Sequence, residues 1–243
     1  MVLLPNLSAL SINEPFSVLS DVETRWRNAC GKRRPNFKSW KRLSGSEKMR
    51  LLHLIAAEAD DDGIAHGDYT TPYDELDIDD VLKTRVWSVE HVVPRSHVHD
   101  RKGGAANDPL GWITATRTAN SRRSNYPLML WPDQVDGKLA IPGTLVRFEG
   151  ELHFVPPANQ RARLARKWLY IRATYSGDLT PPSRAQVKYA AEIVAWAKTF
   201  PIQKAEQRVN DIFEETFQWS NPLLKEWKNQ FYDDVEWRSL VFS

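Results

Sequence analysis

Two neighbouring stretches decide how this chain is read: Trp87-Ser88-Val89-Glu90-His91-Val92-Val93-Pro94-Arg95-Ser96, and Asp108-Pro109-Leu110-Gly111-Trp112-Ile113-Thr114-Ala115-Thr116-Arg117-Thr118-Ala119-Asn120-Ser121-Arg122-Arg123-Ser124-Asn125. The first reads as a short strand over 87–94, rich in Val and stopped by Pro94, which has no N–H for a ladder. In the second, 110–116 reads as another strand and 118–125 as the start of a helix. Together they predict a β-β-α unit, with Glu90-His91 at a strand end and Asn120 at the next helix.

Phosphodiester hydrolysis needs what these residues supply. A neutral imidazole takes a proton from water near pH 7, because its unperturbed pKa is about 6.5. A hard divalent cation stabilises charge on the phosphate and the leaving oxygen. Glu90 (carboxylate) and Asn120 (amide carbonyl) are oxygen ligands, and Mg²⁺ accepts two protein ligands and several waters. One geometric condition applies. Neighbouring strand residues point to opposite faces, so Glu90 and His91 share a site only if the strand kinks or ends there. An isolated Glu-His pair is usually a surface Glu beside a satisfied histidine, and the weight rests on the two segments together. The other histidines (53, 66, 97, 99, 153) are assigned no chemistry, since His97 and His99 have no suitably spaced third zinc ligand.

Outward from this centre the chain is helical at both ends. A short helix is expected over 20–28, with Val22 and Trp26 at i, i+4. Another starts at Ser44 or Ser46, with Met49, Leu52, Ile55 and Ala56 on one stripe, and a weaker one lies near 79–84. Residues 138–155 alternate between Gly137, Gly143 and Gly150, as a short β-meander or hairpin. Beyond it, 161–175 carries Leu164, Trp168, Ile171 and Tyr175 in helical register. Ser183 is positioned to cap a helix burying Val187, Ala190, Ala191 and Val194. Residues 204–219 repeat the pattern with Val209, Ile212, Phe213 and Thr216. The fold class is α+β: mostly helical, around a small central β element.

The chain has 243 residues, 42% hydrophobic and 26% charged, enough apolar material for a packed core. Its single cysteine, Cys30, excludes an internal disulfide. No apolar run is long enough for a transmembrane helix. The start, MVLLPNLSALSINEPF, lacks a basic n-region, so the chain is expected to be intracellular and cytoplasmic. The formal charge is only +2, yet residues 58–80 hold ten Asp or Glu and no Lys or Arg. The rest of the chain then carries +12. A polyanionic partner is one reading of that surplus, and a solvated surface with one acidic face is the other.

The central block resembles the ββα-metal (His-Me finger, HNH-like) nucleases, specifically the endonuclease I family. That family's pattern is a Trp shortly before E-H-x-x-P-x-S, then N-x-x-R-x-N-Y. Here the matching residues are Trp87, Glu90-His91-Val92-Val93-Pro94-Arg95-Ser96 and Asn120-Ser121-Arg122-Arg123-Ser124-Asn125-Tyr126. Pro156-Pro157, Ala165-Arg166 through Tyr170, and Ala173-Thr174-Tyr175 resemble later family elements. So do Trp196, Pro201, Glu206, Arg208, Asn210-Asp211, Ile212 and Asn221-Pro222-Leu223. The likeness runs in order over about 45–224. Val89 departs from the family's usual Asn before the Glu, and residues 1–40 match nothing in it.

The resemblance implies a ββα-metal core at about 86–126 inside one nuclease domain over 41–243, with 1–40 as an extension of unknown role. It implies His91 as general base, Glu90 and Asn120 as ligands of Mg²⁺ (Mn²⁺ or Ca²⁺ as substitutes), and Asn125 as the second-choice ligand. Arg166 and Arg123 are the expected catalytic phosphate contacts, and Arg95, Arg122, Arg123, Arg163 and Lys167 the expected nucleic-acid contacts. For the arginines an ion pair or a solvated helix surface is the competing assignment. Trp87, Tyr170 and Trp196 are assigned to the core. The implied activity is sequence-tolerant cleavage of DNA, with RNA as a second substrate candidate. The alternatives are a site- or structure-specific HNH-type nuclease and a catalytically dead nucleic-acid-binding protein. An inhibitor protein, or a phage or viral origin and assembly partner, would fit an intracellular DNase, and no membrane partner is expected.

Overall fold

The β-β-α unit read from the sequence is present in the computed structural model, which describes residues 20–31, 34, 71–76, 87–100, 104–131, 134–135, 138–225 and 229–243. The helices expected over 44–59 and 79–84, and most of the acidic stretch, lie outside these residues. In chain order the elements are α1 (Asp21–Cys30), β1 (Trp87–His91), β2 (Trp112–Thr116), α2 (Arg117–Arg123), β3 (Gln134–Val135), β4 (Lys138–Leu139), β5 (Leu145–Phe148) and β6 (Glu151–Phe154). They continue as α3 (Ala158–Thr174), α4 (Arg184–Lys188), α5 (Ala190–Thr199), α6 (Lys204–Phe217), α7 (Asn229–Tyr232) and α8 (Val235–Phe242). Each strand pairs antiparallel with its sequence neighbour, β1 with β2, β3 with β4 and β5 with β6. The fold is therefore mixed α+β, with helices around small two-stranded sheets.

Helix α3 is the axis of the core, packed against α1, α5 and α8. Its sequence looks amphipathic, but Arg161, Arg163, Arg166 and Arg172 are as buried as Leu164 and Ile171. Arg161 and Arg172 are sustained inside the protein by carbonyl oxygens. Arg161 donates to Pro156 and Trp131 carbonyls, and Arg172 donates to those of Val241 and Thr180. Buried donors without such acceptors would cost about 1–3 kcal/mol each. Much of the positive charge read from the last third is thus internal.

Helix α1 begins with a capping box, in which the Ser20 hydroxyl accepts from Glu23 N–H and Glu23 accepts from Ser20 N–H. Its Trp26 is fully buried, donates to Thr174 Oγ1 at 3.0 Å and lies 4.9 Å from the Phe231 ring and 5.5 Å from Trp237. Part of 1–40 therefore belongs to the core. Just after α1, Gly31 faces Gln218 so closely that a Cβ would sit 2.0 Å from its carbonyl oxygen. The β5–β6 hairpin turns through Glu149 (φ 50°) and Gly150 (φ 82°), the two left-handed residues of a two-residue primed turn.

The helix capped by Ser183 differs from expectation. The cap is there, with Ser183 accepting from Gln186 N–H, but the helix breaks at Tyr189 into α4 and α5. The buried side carries Ala185, Gln186, Ile193, Val194 and Ala197, while Val187 and Ala191 are exposed. Tyr189 stacks on Trp131 with ring centroids 5.3 Å apart, which selects this face over the expected one. Tyr170 is in the core as assigned, whereas Trp87 and Trp196 are only half-buried.

Candidate active site

The condition on Glu90 and His91 is met because β1 ends there. His91 is the last strand residue, paired across to Trp112, and the chain bends at Val92 and Val93 before Pro94. Both side chains then line one open cleft of about 370 Å³, together with Arg95, Asn120, Arg123 and Asn125. Helix α2 completes it. Thr116 caps α2 by accepting from Ala119 N–H, and the helix packs on β1 and β2.

Two neighbours contact the His91 ring among the described residues. Its Nε2 is 2.8 Å from the Ala106 carbonyl oxygen, and the Trp112 ring meets it edge-on at 6.0 Å. Glu90 is 5% exposed. Its Oε1 accepts from Arg123 Nη1 at 2.5 Å and from the Tyr73 hydroxyl at 3.2 Å. Burial pushes the Glu90 carboxyl above the usual carboxylate range, and Arg123 and Tyr73 only partly oppose this. Asn120 donates from Nδ2 to Ser88 Oγ at 2.8 Å, which fixes the orientation of its amide. Arg123 also donates to the Val92 carbonyl at 2.9 Å, tying α2 to the strand end.

The remaining candidates divide sharply. Arg95 and Asn125 are exposed on the cleft wall. Arg122 is exposed and donates to the Gly143 carbonyl. Arg166 is not brought to the cleft. It is 1% exposed, with its donors on Glu206 and on the carbonyls of Ala197, Phe200 and Pro201. Arg163 and Lys167 also lie elsewhere, on a cavity of about 20 Å³ walled by Glu206 and Asn210. Lys167 donates to the Leu110 carbonyl at 2.9 Å, and burial lowers its pKa to about 8.

Sequence reasoning missed three participants. Tyr73 sits in a turn (71–76) attached to β2 through Asp74, whose carboxylate accepts from the Thr71 and Thr116 hydroxyls. Ser88 is unremarkable by type, and the Ala106 contact is a backbone carbonyl, which leaves no residue signature. Only the strand alternation that puts Ser88 on the Glu90 face could have pointed to one of them.

The endonuclease I family profile matches residues 68–227. The chain belongs to the endonuclease I family. It is accordingly a nuclease, with nucleic acid as its substrate class. A search of curated proteins gave no match. The family match covers Tyr73, the whole cleft, α3, and the Arg166–Glu206 and Asn210–Asn221 contacts. It leaves out α1, α7 and α8, whose aromatic residues pack on one another. Among the described residues, no helix is long and apolar enough to cross a membrane.

Proposed function

We propose that the chain is a Mg²⁺-dependent endonuclease that hydrolyses DNA with little regard for sequence, with His91 as general base and Glu90 and Asn120 as metal ligands. The observation carrying this reading is the contact of His91 Nε2 with the Ala106 carbonyl, inside the cleft that also holds Glu90 and Asn120. A carbonyl only accepts, so Nε2 carries the proton and Nδ1 is the nitrogen assigned to take a proton from water. The tautomer is thereby selected before substrate arrives.

The donor set suits a hard cation. Asn120 spends its amide nitrogen on Ser88, leaving its carbonyl oxygen as the ligand atom, and Glu90 is the one carboxylate among the described residues of the cleft wall. Among the described residues no three His, Cys, Asp or Glu gather into a metal site, so waters would complete the shell, as Mg²⁺ accepts. Mn²⁺ or Ca²⁺ would use the same oxygens. When bound, the ion supplies charge stabilisation at the scissile phosphate and leaving oxygen. The chain's own residues orient the base, hold Glu90 against α2 through Arg123, and meet flanking phosphates through exposed Arg95.

The test is nicking of supercoiled plasmid with Mg²⁺, with EDTA, and with His91→Ala. The variant should lose about 10²–10⁴-fold in rate while keeping its fold, and EDTA should abolish nicking. Nicking by the variant at the normal rate would remove His91 as base. Intact plasmid with every divalent cation would overturn the metal-dependent nuclease reading.

A further inference from the structure

A second cavity, of about 300 Å³, adjoins the catalytic cleft, and Pro94 belongs to the wall of both. Backbone pairing of the loop after β1 with the segment after α3 frames it. His99 N–H donates to the Asp178 carbonyl and Thr180 N–H to the His97 carbonyl, each at 2.9 Å. Val92, Leu128, Trp168 and Pro182 give the cavity an apolar side, and Arg172 gives it a charge.

Arg172 differs from the other buried arginines that meet acids. It is 4% exposed and donates through Nε to the Val241 carbonyl at 2.9 Å and through Nη1 to that of Thr180 at 2.8 Å. Among the described residues, nothing accepts from its Nη2 and no carboxylate pairs with it. Glu151, the only acidic residue in the described cavity wall, is exposed and makes no ion pair with it. Its guanidinium lies 5.5 Å from the Trp168 ring centre. Burial, with no acid to offset it, lowers the Arg172 pKa to about 10. A cation desolvated in this way is compensated by an anion, and the anion that a planar guanidinium binds best beside an apolar wall is a phosphate carrying a base.

We infer that this cavity is a nucleotide subsite, in which Arg172 takes a phosphate and the Trp168–Pro182 wall takes the attached base. The choice of a nucleotide as the anion rests on the nuclease reading. A volume at the lower limit of small-molecule sites holds one unpaired nucleotide rather than a base pair. The ligand chemistry is the same whether the nucleotide belongs to the strand being cut or is free in solution.

The test uses the full chain in EDTA, so that cleavage is silent, with inorganic phosphate and thymidine 5′-monophosphate titrated by calorimetry. The mononucleotide should bind more tightly than phosphate, and Arg172→Gln should weaken both roughly ten- to a hundredfold. Pro181→Glu adds an anion at the exposed rim with Arg172 intact, and should weaken both ligands even if Arg172→Gln fails to fold. Absence of binding up to about 10 mM, or wild-type affinity in Pro181→Glu, overturns the subsite. With Mg²⁺ and a single-stranded oligonucleotide, a raised KM in Pro181→Glu assigns the pocket to the bound strand. An unchanged KM with mononucleotide affinity lost assigns it to a free nucleotide. A chain that binds the mononucleotide but never nicks plasmid would sink the nuclease reading and leave the phosphate site standing.

Discussion

Arg123 beside the cleft and Arg166 inside α3 are each 1% exposed, and each meets a buried glutamate, but they hold it differently. Arg166 grips Glu206 with a fork, Nε to Oε1 at 2.8 Å and Nη2 to Oε2 at 2.7 Å, so both carboxylate oxygens are used. Arg123 reaches Glu90 through Nη1 alone, at Oε1, and turns Nη2 to the Val92 carbonyl. The fork is a closed structural unit, and the single contact restrains a carboxylate while leaving it open to a further partner. Burial outweighs Arg123 at Glu90, which is the electrostatic mark of an acid held short of full compensation.

The largest expected effect tests the closed pair. Arg166→Met should cost about 3–5 kcal/mol in chemical denaturation, because it strands a buried Glu206, and adding Glu206→Leu should recover most of that loss. Arg123→Met should cost clearly less stability, since it removes a single contact to Glu90 rather than a fork, yet it should slow plasmid nicking more than about tenfold. Equal stability losses at the two sites, with nicking preserved, would break the comparison.

A second contrast concerns buried titratable groups with no arginine fork. Asp108 is fully buried, accepts from the Tyr170 and Tyr175 hydroxyls, and has its pKa raised to about 6 by burial. The folded chain holds that proton where the unfolded chain releases it. Its contribution is therefore present below about pH 4 and lost as pH rises through 6, by roughly 3 kcal/mol. His153, against Ser183 Oγ at 2.8 Å, is lowered to about 4, also by burial. Its contribution is present above about pH 6.5 and lost as pH falls through 4, by a similar amount. The two slopes oppose each other. Denaturant midpoints of Asp108→Asn should fall more steeply toward acid than those of the wild type between pH 6 and 4, and an unchanged profile would refute the linkage.

The smallest effect lies at the surface. Arg95→Ala should raise KM for DNA by less than about tenfold and reduce the salt slope of binding by about one, with no change in stability. A slope unaltered in this variant would remove Arg95 from the phosphate path.

Much of the cleft was legible because its cues are local. Pro94 lies just beyond the end of β1 at His91, and the spacing from His91 to Asn120 follows from two short strands and one helix start. The arginines of α3 were not legible. A helix bearing Arg161, Arg163, Arg166 and Arg172 looks solvated until its acceptors are known, and these include Ala197, Phe200 and Val241 carbonyls, distant in sequence. The face of α4 and α5 was read only in part, with Val194 buried as expected but Val187 and Ala191 exposed, for a related reason. Apolar residues occur on both candidate stripes, and the stacking of Tyr189 on Trp131 decides between them. Tyr73 was hidden by its surroundings, since an acidic stretch suggests a solvated loop, whereas Asp74 and Tyr73 pin this turn to β2 and Glu90.

The contact of Trp26 with Phe231 and Trp237 sets an order of events during synthesis. The indole of Trp26 leaves the ribosome some two hundred residues ahead of the rings that cover it. Until they arrive, α3 lacks two of its walls, α1 cannot settle, and Thr174 waits for its donor. A ribosome that stalls before Phe231 would therefore display an unfinished enzyme with a bare aromatic surface, a form exposed to chaperones and proteases.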